Sequence, residues 1–377
     1  MATRVSGLGP LSLNESMSLL YKPDWDRTKA NMRAWWAHEY FGRCALAITA
    51  PRSNPPSRPA PPQPQTLEDQ WYDLDAIAVR NDYEHSFTWY GGEAIPMWHA
   101  CYPGIASIPT MLGCPFKLDM HTGWHDPLLT DPDGFDIRTL RLDEKHPAYR
   151  YHMDVLRRAM VETPGKSFPS MGAFYHGGDT LAALRGTQQL LLDCIERPAM
   201  VRDAEDWLME MWCEFYDRTY AAVQGPQQGS SCWMGIWAPG KTYTVSNDFS
   251  YNISPSMFRE LFLPAIERQT RFLDYSIYHV DGIGAFVHVD ALCELPRLQA
   301  LQILPGAGKP SPLHYMDVLK KVQTTGRNLH ISIPPEEVRL ALEQLSARGL
   351  YIQTWCQSEA EGKQLLADAE KWSVDRG

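Results

Sequence analysis

Beyond residue 165, short apolar runs alternate with amphipathic stretches of helical period, and this alternation limits the possible folds more than any other feature of the chain. Strands are expected at 167–174, 231–237, 242–248, 275–281, 298–304, 328–333 and 350–356. Helices are expected between them, at 179–196, 198–222, 255–274, 312–325, 335–348 and 358–373. Near-continuous apolar strands separated by helices describe a parallel sheet buried on both faces. With "CALAITA" (44–50) and "AIPMWHA" (94–100) the strand candidates number nine. The expected fold is α/β, a (β/α)8 TIM barrel forming a single domain over 1–377, with an elaborated N-terminal region and an extra strand or hairpin near 231–248. A doubly wound open sheet is the rival, but no glycine-rich phosphate loop follows any early strand.

Local signals fit this plan. Ser254-Pro255 pairs an N-cap serine with proline at the first helical position, and Gly349 is expected just past the end of the 335–348 helix. "PRSNPPSRPAPPQPQ" (51–65) excludes helix and central strand and is expected to be an extended surface loop within the domain. Thr66 and Glu68 after it suit a helix start.

A formal charge of −10 argues against a nucleic-acid groove or an anionic membrane as the main partner. No run approaches the length of a membrane span, and the first residues lack a basic region followed by an apolar core. Eight scattered cysteines without a CxxC pair form no disulfide framework. A cytoplasmic protein is expected.

The tripeptide His-Val-Asp occurs twice, at 279–281 and 288–290. In a barrel the active site lies at the C-terminal ends of the strands. His279 and Asp281 close the run "YSIYHVD"; two apart on a strand, they point the same way, toward the barrel mouth. His288 and Asp290 fall in the following helix, diverge around it and are expected on its surface. Asp248 and Cys356 end other strands. His279, Asp281 and Cys356 offer nitrogen, oxygen and sulfur donors, a set zinc accepts, with one position left open for reaction. His279, Asp281 and Asp248 are the candidate catalytic groups. His99, His176 and Asp179, with Trp124, Trp233, Trp237 and Trp355, are candidate substrate contacts, and Asp179 alternatively reads as a helix N-cap. His330 and Ser332 share one strand face and suit polar packing or substrate contact.

The segments "GDTLAALRGTQQLLLDCIERPAMV", "NDFSYNISPSMFRELFLPAIERQ" and "IYHVDG" resemble the uroporphyrinogen decarboxylase superfamily, particularly its cobalamin-linked, zinc-dependent methyltransferase-like branch, over roughly 165–375. The resemblance implies a barrel of this size, commonly paired as a homodimer. The decarboxylases carry an arginine-bearing N-terminal loop, of which "FGRCALAITAPR" is only an echo. The methyltransferases bind zinc through a His-x-Cys pair and a later cysteine; His279 and Cys356 fall on that pattern, with Asp281 in place of the first cysteine. A carboxylate there makes a harder, more Lewis-acidic site, suited to a thiol, an oxygen nucleophile or water. The implied function is zinc-dependent methyl transfer to a small thiol or other nucleophile. No Asp-x-His-x-x-Gly signature is present, so a corrinoid methyl donor would be carried on another protein. Two alternatives stand beside it. One is a cofactor-free decarboxylase or lyase in which Asp248 or Asp281 stabilises an intermediate and His279 moves a proton. The other is a non-catalytic small-molecule-binding barrel.

Overall fold

The structure, a computed structural model, describes residues 18–99, 104–175, 177–225 and 228–377. Eleven strands follow in chain order: β1 (Ala45–Pro51), β2 (Thr88–Gly92), β3 (Met97–Trp98), β4 (Phe116–Leu118), β5 (Gly123–His125), β6 (Phe168–Pro169), β7 (Thr242–Ser246), β8 (Tyr275–Asp281), β9 (Ala300–Leu304), β10 (Asn328–Ser332) and β11 (Leu350–Trp355). Seven form one sheet in the order β2-β1-β11-β10-β9-β8-β7. All its pairs are parallel except the edge strand β2, antiparallel to β1. β3 and β6 make a separate parallel pair, and β4–β5 a small antiparallel one. The molecule is thus mixed α/β with a mostly parallel sheet.

The helices lie where the periodicity places them: Gly177–Arg185 and Thr187–Glu196, Pro198–Ala222, Pro255–Phe272 with a π-turn inside it, Pro312–Thr324, Pro335–Gln344 and Glu359–Trp372. Ser254 caps its helix, its hydroxyl accepting from Met257 N–H at 3.3 Å. Gly349 is not a helix cap, because that helix stops at Gln344. It turns the chain into β11 at φ +67°, where a Cβ would lie 2.6 Å from Asn328 Oδ1 and His38 Nδ1.

The expected strand at 231–237 does not form. Cys232 to Gly235 make a turn, closed by Gly235 N–H to Cys232 O at 3.0 Å, and Gly235 takes φ +73°, outside the strand region. One antiparallel bridge, Ser230 to Ala238, is what remains of the extra hairpin. The additional strands are instead β2 and the β4–β5 pair, in the N-terminal part.

Alternation along the strands divides two cores. Leu46, Ile48, Val245, Val280, Ile303, Ile331 and Ile352 face the helices, whereas Ala45, Ala47, Ile277, Ala300 and Tyr351 face inward. Most of the tryptophan in this second core comes from the helix Trp25–Trp36, whose Trp25, Trp35 and Trp36 fill the end of the sheet at which the parallel strands begin. Two of the indole N–H groups find partners there, Trp35 donating to Gly349 O and Trp36 to Trp237 O, both at 2.9 Å. Trp237 belongs to this plug, 1 % exposed, and not to the mouth. Among the described residues no helix is long and apolar enough to cross a membrane.

The motif that carries the family resemblance acts here as a clamp. Asp193 is fully buried and pairs with Arg185 Nε at 2.6 Å and Arg197 Nη1 at 3.0 Å, while Arg185 also donates to the carbonyl oxygens of Leu129 (2.7 Å) and Asp131. Three helices and a loop are tied through one carboxylate. Removing it leaves a buried guanidinium uncompensated. Asp193→Asn is therefore expected to lower unfolding free energy by about 3 kcal/mol in a denaturant titration. Glu260→Gln, which opens the exposed Arg202 pair, should change it by less than about 1 kcal/mol.

Candidate metal centre

Register decides which side chains meet. β7 and β8 pair with Ser246 opposite His279, and β8 and β9 with His279 opposite Gln302. Tyr278 and Val280 go into the helix-facing core, so His279 and Asp281 point into a cavity of about 520 Å³ at the C-terminal ends of the strands. Asp248 opens the short 3-10 helix that follows β7 and faces the same space. Asp248, His279 and Asp281 each present a ligand atom within 4.8 Å of the other two. His279 Nε2 stands 3.8 Å from Asp281 Oδ2.

Gln302 sets the imidazole. Its Oε1 contacts His279 Nδ1, and an amide oxygen only accepts, so the proton is held on Nδ1. In the neutral ring Nε2 then carries the lone pair, directed to the side of the two carboxylates. Burial works to lower the His279 pKa, but the nearby carboxylates of Asp281 and Asp248 outweigh it, and the net shift is upward. Trp233 packs edge-on against the ring at 5.3 Å.

Asp179 lines the same cavity. It is inside its helix and not an N-cap: its carboxylate accepts from Ser246 Oγ and Phe249 N–H, both at 3.1 Å. Burial first, and the Asp248 charge second, push its pKa up to about 7. Behind it Glu205 is 2 % exposed and raised further, by burial and then by Asp179. No lysine or arginine lines the cavity among the described residues.

The remaining sequence candidates disperse. Cys356 does not join the cluster: among the described residues only Asp248, His279 and Asp281 form a group with metal-ligand spacing. The reason is parity. Tyr351, Gln353 and Trp355 line a cavity on the inner side, whereas Ile352 and Cys356 belong to the helix-facing core. Burial also pushes the Cys356 thiol up to about 11, away from the thiolate a metal binds. His99 borders that inner cavity and a third one beside it, which Trp71, Arg80 and Gly172 help to line, and its backbone is held on both sides by the Asn81 amide. Trp233 borders all three cavities and Trp355 the second, while Trp124 stands on the β5 hairpin, 46 % exposed, and lines none of them. His176 lies outside the described residues. The second His-Val-Asp splits. Asp290 is exposed and paired with Lys321, but His288 is buried, its Nε2 against Ser250 O at 2.9 Å and its ring 4.3 Å from Phe258. It is a structural histidine rather than a surface one.

Sequence reasoning passed over Gln302, Ser246 and Glu205. Gln302 left one trace, a polar residue at an inward position of the apolar run "LQALQIL". Asp248 entered the reading as a strand-end carboxylate, not as a ligand.

No protein-family description matches the chain, and neither does any curated protein sequence. A solved structure does: a methyltransferase from Methanosarcina mazei superposes with a TM-score of 0.60, over 91% of this chain and 98% of that one, at 10% sequence identity. At that identity what the two share is a fold.

Proposed function

We propose that the chain is a metal-dependent methyltransferase of the uroporphyrinogen decarboxylase superfamily, built on an eight-stranded barrel that β3 and β6 complete. The carrying observation is the Asp248–His279–Asp281 group at the strand ends of a fold shared with a methyltransferase. One imidazole and two carboxylates suit zinc or a similar borderline divalent cation, and three protein ligands leave a position for substrate. When bound, such a cation lowers the pKa of a thiol or hydroxyl so that the nucleophile is presented as its anion. Gln302 keeps Nε2 of His279 available as a ligand, the outer-shell role that ligating histidines require. Trp233 fixes the ring plane and shields one side of the centre from water. Asp179, held near neutrality, is placed to take up or return the proton of the nucleophile. The methyl donor, a corrinoid on another protein, would enter from the open mouth.

One observation favours a metal-free lyase instead: Asp179 is a carboxyl kept partly protonated in the cavity, a ready general acid. Against it, a carboxylated substrate would find no arginine or lysine among the described residues of that cavity. Chelation separates the two, since a lyase keeps full activity after metal removal.

Metal analysis of purified protein tests the proposal. About one divalent ion per chain is expected in the wild type and in Cys356→Ala, and a loss in His279→Ala and Asp248→Asn. Wild type purified without chelators yet free of metal refutes the reading. Gln302→Leu should weaken metal affinity by roughly 10- to 100-fold in competition with a chromogenic chelator, and Gln302→Glu should restore it.

A further inference from the structure

The cavity of the candidate metal centre is not isolated. Trp233 forms part of its wall and also part of the wall of a second cavity, of about 720 Å³, on the β1, β2, β3 and β11 side of the mouth. The second cavity differs in character. Tyr90, Met97, Trp233, Met234, Tyr351 and Trp355 supply flat or polarizable walls, where the first cavity presents three aspartates.

Several groups that look polar in the second cavity are already engaged. Tyr90 Oη meets His85 Nδ1 at 2.7 Å, which leaves the tyrosine ring as its free surface. Burial keeps His85 neutral, at about 4. Arg52 donates to Thr88 O at 3.2 Å on the rim that the cavity shares with a neighbouring cleft. Glu84 is exposed, on the wall shared with the third cavity. Trp355 is the exception to this economy. It is 49 % exposed, lies on the inner side of β11 and has no aromatic partner among the described residues. A large indole face left open inside a cavity is a surface awaiting a ligand.

The geometry points to a two-chamber substrate site: the second cavity binds the aromatic ring of the substrate against Trp355, and a heteroatom on that ring passes Trp233 to reach Asp248, His279 and Asp281. The substrate class is an aromatic compound bearing a hydroxyl or thiol. This assignment rests on the methyl-transfer reading for the fate of the heteroatom, but not for the ring-binding chamber itself. The turn that carries Trp233 is fixed from both sides, by Ser230 paired with Ala238 and by Ser231 Oγ donating to Ile236 O at 2.9 Å. The turn therefore holds Trp233 at the border that the two chambers share.

Calorimetric titration with phenol and with cyclohexanol, equal in ring size but flat in one case only, tests the ring chamber. Phenol is expected to bind with a Kd of about 1 mM or below and at least about tenfold more tightly than cyclohexanol. Trp355→Ala should erase that preference and Trp355→Phe should keep it; the side chain is half exposed, and unchanged near-ultraviolet dichroism would show the fold intact. Equal binding of the two alcohols, no binding of either, or an unaltered preference in Trp355→Ala overturns the proposal. The same titration on chelated protein and on Asp248→Asn separates the two readings. Phenol binding that survives chelation and Asp248→Asn is the result expected of an independent ring chamber; phenol binding by wild type that purifies without metal sinks only the metal reading, and a stoichiometric metal without phenol binding sinks only the ring chamber.

Discussion

The parallel register of β7, β8 and β9 is the constraint on which the candidate centre depends. Ser246, His279 and Gln302 stand opposite one another across three strands, and the row continues through His330 and Tyr351 to Ala45. A slip of one residue in β8 would send His279 and Asp281 into the helix layer and turn Tyr278 and Val280 into the cavity. The buried apolar outer faces forbid that slip. The hydrophobic core, not any polar interaction, therefore delivers the histidine to its glutamine. Gln302 then converts position into chemistry by choosing the tautomer.

The same alternation explains which parts of the site were legible in the sequence. His279 and Asp281 were readable because they share a parity and end an apolar run. Cys356 also ends a run, yet it follows Trp355, and strand-end position without parity does not say which face a residue takes. Applying the period of two to "LYIQTWC" from buried Ile352 would have put Cys356 with the core and Gln353 and Trp355 in the lumen. Asp248 was harder: it stands beyond β7, and only the 3-10 turn brings its carboxylate to β8.

The helices of the C-terminal half were legible because each keeps one apolar face, although the stretch expected at 179–196 is broken at Gly186 and the one expected at 335–348 ends at Gln344. The N-terminal half was legible in part: β1 falls on "CALAITA", and β3 and β6 lie inside the runs expected at 94–100 and 167–174 but keep two residues each. β2 and the partly exposed β4–β5 hairpin left no such run to read. The tryptophan-rich helix Trp25–Trp36 gave no hint that it plugs the sheet rather than lines a pocket, since composition alone does not distinguish the two ends. The proline segment did behave as expected, running without regular structure from Ser53 to Gln65, and even there Arg58 anchors it through Asp82 Oδ2 at 2.7 Å.

The electrostatics of the cavity support the cation proposed for it. Four carboxyl groups, Asp179, Glu205, Asp248 and Asp281, gather on one side, and His279 is the single described cavity-lining side chain able to carry positive charge. Crowded carboxylates in a partly dry space are tolerated only if some take protons or a cation joins them. The two inner acids follow the first route: burial, reinforced by their neighbours' charge, holds Asp179 and Glu205 toward the neutral form. That leaves Asp248 and Asp281 at the open end, flanking Nε2 of a histidine whose other nitrogen is already committed to Gln302. An imidazolium between them satisfies the field in part. A divalent ion in the same place satisfies it more fully.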